Sequence, residues 1–237
     1  MNVPFGAAAY GLLAGLAIAL LVAAFTDLRR RQIDNGLNAL VALAAPLYWW
    51  AAGLGWSGAA IQVALAVGAM AVFTLLFARG LMGGGDVKLL AALALWLPPL
   101  SYFQLLFMMA IVGGAMSIVA GARNLDLAPE ETGKRRLAVI AAALWLLLTV
   151  YVVRVMNGAA PVDFGALGAP LGAIGAVLVP CLLIAVFGVL LSGARVIARR
   201  QKSKLPVPYG LAISVAGLWL LATHPEQLVA AAGPVIG

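Results

Sequence analysis

The chain has 237 residues, a formal net charge of +7, 65% hydrophobic residues and only 10% charged ones; an ordinary soluble domain has roughly 45–50% apolar and about 25% charged residues. A water-soluble chain of this size still exposes about a quarter to a third of its unfolded surface, so the bilayer is the expected solvent for most of it. A single cysteine, Cys181, and a single histidine, His224, exclude a disulfide framework, a cysteine-based zinc site and a multi-histidine metal centre, and basic clusters beside apolar runs fit membrane orientation rather than nucleic-acid binding.

Apolar runs of spanning length appear at about 5–25, 37–54, 57–78, 100–121, 137–156, 171–191 and 208–222, with a shorter one at about 87–99 ending in Pro98-Pro99. A spanning helix needs ~20 residues, so the 87–99 run is marginal and the 208–222 run slightly short. Counting both predicts an all-α, polytopic membrane helix bundle of about eight transmembrane segments. The basic residues support that count. With the N-terminus outside, the inner loops hold 14 of the 15 Lys and Arg residues, and Arg154 lies near an outer end, as the positive-inside rule requires. Dropping one crossing scatters the later clusters over both sides.

The first run lacks a basic n-region and is followed by Arg29-Arg30-Arg31 and further spans, so it reads as a span rather than a cleaved signal peptide. Gly113-Gly114 and Gly172-Ala173-Ile174-Gly175 read as close helix packing. Cys181 reads as a small buried hydrophobe, and Tyr209 and the six Trp residues as interfacial anchors.

Acidic residues are few. Asp126, Glu130 and Glu131 fall in a mixed-charge inner loop, Asp163 and Glu226 in outer segments, and all five read as solvated. Asp27, Asp34 and Asp86 cluster at the inner ends of early helices, where a carboxylate at membrane depth is costly and points to function. Asp27 closes the first span; Asp86 stands in Gly83-Gly84-Gly85-Asp86-Val87-Lys88. Two carboxylates meeting in a partly dry site share one proton, because like charges a few ångströms apart resist joint ionisation. One then acts as base on a water while the other donates a hydrogen bond to a peptide carbonyl, a hydrolysis needing no metal or nucleophilic side chain.

The glycine triplet is expected to supply a sharp turn and a close approach to a substrate strand. Helix-end position assigns Asp86, at a helix N-terminus, as the resting base and Asp27, near a helix C-terminus, as the resting acid. Plainer roles stand beside these: Asp27 paired with Arg30 or Arg31, the triplet as a flexible turn, and Asp86 as an N-cap. No Walker or dinucleotide pattern surrounds the triplet.

At these residues the chain resembles the type IV prepilin peptidases, intramembrane aspartyl proteases of the GxGD class, and above all the short, peptidase-only members serving Tad/Flp-type pilus assembly. The family's Gly-x-Gly-Asp-x-Lys motif is matched by Gly83-Gly84-Gly85-Asp86-Val87-Lys88. Its first aspartate, placed before a basic stretch and Ile-Pro-Asn, is matched by Asp27-Leu28-Arg29-Arg30-Arg31-Gln32-Ile33-Asp34-Asn35. Its last helix often opens with Pro-Tyr-Gly, here Pro208-Tyr209-Gly210. The likeness covers roughly residues 10–121 and 205–222.

The resemblance implies Asp27 and Asp86 as the catalytic pair, with Gly83, Gly84, Gly85, Lys88, Asp34 and Asn35 binding substrate or shaping the site. It implies removal of the leader of a Flp-like prepilin at the cytoplasmic face of the bacterial inner membrane, with no metal or organic cofactor. Within one membrane domain over 1–237, segments 5–121 and 205–222 form a six-helix peptidase core, and 122–204 adds a hydrophobic pair with basic loops. The partners implied are a pilin-like precursor and membrane lipid, with no nucleic acid. Asp34 replaces the family's usual proline and is read as capping the second helix with Asn35, its alternatives being to tune the pair or bind a basic leader. Lys88 is an interfacial anchor or a contact for substrate acidic groups. Methylation of the new pilin N-terminus is not expected, since the paired cysteines of the longer bifunctional members have no counterpart. A noncatalytic scaffold or small proton-coupled transporter is the alternative, and it predicts carboxylates lining a path through the bilayer.

Overall fold

The computed structural model describes residues 3–123, 131–163, 166, 170, 172–200 and 209–230, and among these residues the regular structure is helical, with no strand. The helices are α1 (Val3–Arg30), α2 (Asn35–Ala52), α3 (Trp56–Ala78), α4 (Gly84–Ala94), α5 (Pro99–Arg123), α6 (Thr132–Met156), α7 (Gly172–Arg200), α8 (Tyr209–Thr223) and α9 (Pro225–Ala230). Asp126, Glu130, Lys202, Lys204 and Pro208 lie outside the described residues. Among the described residues five helices are long and apolar enough to cross a membrane: α1, α3, α5, α6 and α7. The bundle is therefore polytopic.

The other expected crossings are shorter. Helix α2 has 18 residues, α8 has 15 and α4 only 11. At 1.5 Å per residue α4 rises ~16 Å, about half of a ~30 Å hydrocarbon core. It survives because it is enclosed: Asp86, Val87 and every residue from Leu89 to Ala94 are buried.

The chain divides into two compact units, one of residues 1–113 and 208–237 and the other of residues 114–207. In the first unit α4 runs alongside α2 in the same direction. Asn38 Nδ2 donates to the Gly85 carbonyl (3.1 Å) near their N-termini, and Trp49 Nε1 donates to the Leu95 carbonyl (2.6 Å) near their C-termini. Helix α3 returns between these ends. With its amide oriented to suit its neighbours, Gln62 donates to the carbonyls of Ala94 and Leu97 at 2.6 and 2.9 Å. The bonds to Ala94, Leu95 and Leu97 satisfy carbonyls at the C-terminal end of α4 that neither lipid nor the helix itself can satisfy. Helix α8 lies against α1, where a β carbon on Gly217 would come 2.8 Å from Leu20, and Tyr48 Oη ties α2 to the Leu228 carbonyl of α9 (3.0 Å).

The second unit packs α6 against α7. The side chain of Ala141 occupies the space a β carbon on Gly193 would need, and Ala138 and Ile197 are buried beside that crossing. A β carbon on Gly114 would lie 3.0 Å from the Trp145 ring, so this glycine does serve close packing. Gly172 does not follow suit: it opens α7 at φ 56 with nothing near it. Cys181 is exposed on α7, not buried. The Trp residues also divide. Trp50 and Trp56 are exposed around the α2–α3 turn, whereas Trp96 is buried and donates to the Val41 carbonyl (2.8 Å).

Candidate active site

The packing stripe of α1 ends in a carboxylate. Its buried positions Ala9, Leu13, Leu16, Leu20, Ala23 and Asp27 are spaced four and three apart and so form one helix face. Asp27 is turned inward by the same packing that buries the leucines, and it is 5% exposed. Phe25 and Leu28 point outward, and Arg29 lies over the Phe25 ring at 4.5 Å. The helix stops at Arg31, whose N–H still bonds the Asp27 carbonyl (2.8 Å) while its φ of 53 lies in the left-handed region that non-glycine residues rarely adopt. The chain then passes through Gln32 and Ile33 to Asp34.

Asp86 is the third residue of α4, after Gly83 at the N-cap position and Gly84 and Gly85 in the first turn. It is not itself the cap. Its carboxylate turns back to the Gly83 N–H, as an acid at this position does in a capping box.

The triplet is needed for close approach rather than for a turn. The sharp turn falls earlier, at Gly80, with φ 69. A β carbon on Gly83 would sit 2.9 Å from Asp86 Oδ2, and one on Gly85 would sit 3.2 Å from the backbone oxygen of Ile33. The backbone that Gly85 approaches is the protein's own α1–α2 connection.

The far end of the sequence completes the surroundings of Asp27. The Leu211 N–H at the start of α8 donates to Asp27 Oδ2 (2.9 Å), and the Gly210 N–H faces the same carboxylate. These are orphan donors of a helix first turn, satisfied here by an acid from another helix. A β carbon on Gly210 would lie 2.8 Å from Oδ2. Asp27 thus faces the N-terminus of α8 as well as the C-terminal end of α1, so an assignment of proton roles from α1 alone does not hold.

Asp27, Arg31, Gln32, Ile33, Asp34, Asn35, Gly83, Gly84, Gly85 and Asp86 line one cavity of about 320 Å³. Seven of the eight expected site residues meet there. The eighth, Lys88, is adjacent: its Nζ donates to Asn35 Oδ1 (2.7 Å). Asp34 stands at the N-cap position of α2 but makes no side-chain capping bond, so the capping role fails and the side chain faces the cavity. No salt bridge joins Asp27 to Arg30 or Arg31; among the described residues the one salt bridge is Lys134–Glu131. No group of three or more metal-ligating side chains is present among the described residues.

Two contributors escaped the sequence reading. Asn38 holds the Gly85 carbonyl from one turn into α2, and an asparagine in an apolar helix, three residues after Asn35, was the signal. Gly210 was quoted only as part of a helix opening, yet it leaves room for the Asp27 carboxylate.

Residues 14–118, which hold both buried aspartates, match the type IV leader peptidase family. No curated protein and no solved structure matches the chain. This match supports membership of the type IV leader peptidase family, and with it a protease activity.

Proposed function

We propose that this protein is an aspartic endopeptidase of the GxGD type that removes the leader of Flp-like type IV prepilins at the cytoplasmic face of the bacterial inner membrane. The observation that carries this reading is that Asp27 and Asp86, on different helices and both buried, line a single cavity. Two carboxylates gathered at one end of the bundle favour hydrolysis over a carrier, which needs them along a path.

The chemistry follows from the pair. One carboxylate takes a proton from a water held between them as that water attacks the scissile carbonyl carbon; the other gives its proton to the carbonyl oxygen. Collapse of the resulting diol breaks the C–N bond: the amine leaves with the proton taken from water, a diol hydroxyl returns its proton to the other carboxylate as the carbonyl re-forms, and the resting state of one shared proton returns. Asp34 adds negative charge at the rim, which draws in a basic leader. The precursor helix unwinds at the cut, because a peptide bond inside a helix is shielded from attack.

Co-expression with a Flp-type prepilin tests the reading. Leader removal is expected from the parent chain, and Asp27→Asn and Asp86→Asn are each expected to lose it by at least ~100-fold at normal membrane levels. Asparagine keeps the shape but supplies neither base nor shared proton. Normal cleavage by both variants would overturn the dyad; no cleavage by the parent would overturn the Flp-type substrate.

A further inference from the structure

A second cavity lies in the α6–α7 pair and is lined by no residue that the peptidase reading uses. The two helices cross tightly where Gly193 meets Ala141 and the Leu137 carbonyl, with Ala138 and Ile197 buried next to them. Just beyond that dry crossing, Lys134 from the first turn of α6 and Arg195, Val196 and Arg199 from the end of α7 line a cavity of about 260 Å³. Lys134 is paired with Glu131, whereas Arg195 and Arg199 have no carboxylate partner among the described residues.

Spacing defines what such a cavity suits. Arg195 and Arg199 are four apart and share one helix face. The same face continues along the apolar helix as Leu191, Phe187 and Ile184, all exposed. Two guanidinium groups present planar donors that match phosphate oxygens. The exposed track leading away from them suits acyl chains, which a free phosphate does not have. Basic pockets between spanning helices bind anionic headgroups in this manner.

We infer that the α6–α7 cavity binds the phosphate of an anionic phospholipid, with its acyl chains lying along Leu191, Phe187 and Ile184. Native mass spectrometry on the detergent-purified full chain, titrated separately with phosphatidylglycerol, phosphatidylcholine and inorganic phosphate, tests this. Phosphatidylglycerol is expected to bind at least tenfold more tightly than phosphatidylcholine. The double variant Arg195→Gln/Arg199→Gln is expected to weaken phosphatidylglycerol binding about 30-fold. Arg29→Gln/Arg79→Gln, which removes the same charge elsewhere, is expected to leave it within about twofold. Glu131→Gln frees Lys134 and is expected to tighten binding severalfold, which keeps the inference testable should the arginine variant fail to fold.

Equal binding of the two lipids, unchanged binding by the arginine variant, equal losses in both arginine pairs, or no gain from Glu131→Gln would each overturn the site. Displacement of phosphatidylglycerol by an equal concentration of inorganic phosphate would overturn the lipid assignment in favour of a soluble anion.

Discussion

The two compact units are built from helices of similar apolarity, yet they treat polar groups in opposite ways. The most apolar windows of α1 and α3 have mean hydropathies of 2.3 and 2.2, and those of α6 and α7 have 2.3 and 2.6. Among the described residues, the buried polar or charged side chains are Asp27, Asn38, Gln62, Asp86, Ser101 and Ser214, and all belong to the first unit. Helices α6 and α7 bury only 11% of their apolar windows, against 28% and 17% for α1 and α3. The second unit is thus mostly lipid-facing and is held by small residues at one crossing, a contact that needs no polar partner. The first must match donors to acceptors in a medium that offers none. That requirement gives it one precise internal arrangement, as a catalytic site needs, whereas small-residue packing alone does not.

If this contrast is right, small changes in the first unit reach the chemistry and larger ones in the second do not. The largest effect is expected from Gly210→Ala. Its new methyl group would displace the Asp27 carboxylate from the Leu211 N–H, and misplacement of about 1 Å at a reacting group costs ~100-fold in rate. Prepilin cleavage by the purified variant, with protein levels matched, checks this. Asn38→Ala comes next. It removes the bond that α2 makes to the Gly85 carbonyl, at ~1 kcal/mol for a bond between membrane helices, and should lower the melting temperature by about 2–4 °C together with part of the activity.

Lys88→Gln removes an exposed bond to Asn35, worth under ~1 kcal/mol, so cleavage is expected to fall less than ~threefold. A larger loss would give Lys88 a direct contact with substrate. Gly193→Ala is expected to change cleavage least. It puts a methyl group where Ala141 already sits, at a cost of ~1–3 kcal/mol in packing, yet cleavage per folded molecule should stay within about twofold. A loss as large as that of Gly210→Ala would break the contrast.

Much of this was legible in the residues themselves. Long apolar runs and paired basic clusters marked the helices, and the scarcity of carboxylates drew attention to Asp27 and Asp86. Run length marked α4 as short, but hydropathy did not show that it is enclosed, because an apolar stretch reads the same whether protein or lipid surrounds it; the same blindness put Cys181 inside. The glycine triplet reads as both a turn and a close approach to substrate, and only the position of Ile33 reveals that the backbone approached is the protein's own. Asp34 looked like a cap by its place in sequence, but capping needs a side-chain torsion that sequence does not specify. The role of Gly210 depends on a contact between opposite ends of the chain, which no local pattern encodes.

That contact has a consequence for the timing of biosynthesis. The donor to Asp27 lies 184 residues later in the chain. At synthesis rates of ~5–20 residues per second, Asp27 is made about 10–40 seconds before Leu211 exists. During that interval its carboxylate lacks the backbone donors that hold it in place. The site therefore stays unassembled while the intervening helices insert, and it acquires its final geometry only when α8 docks against α1.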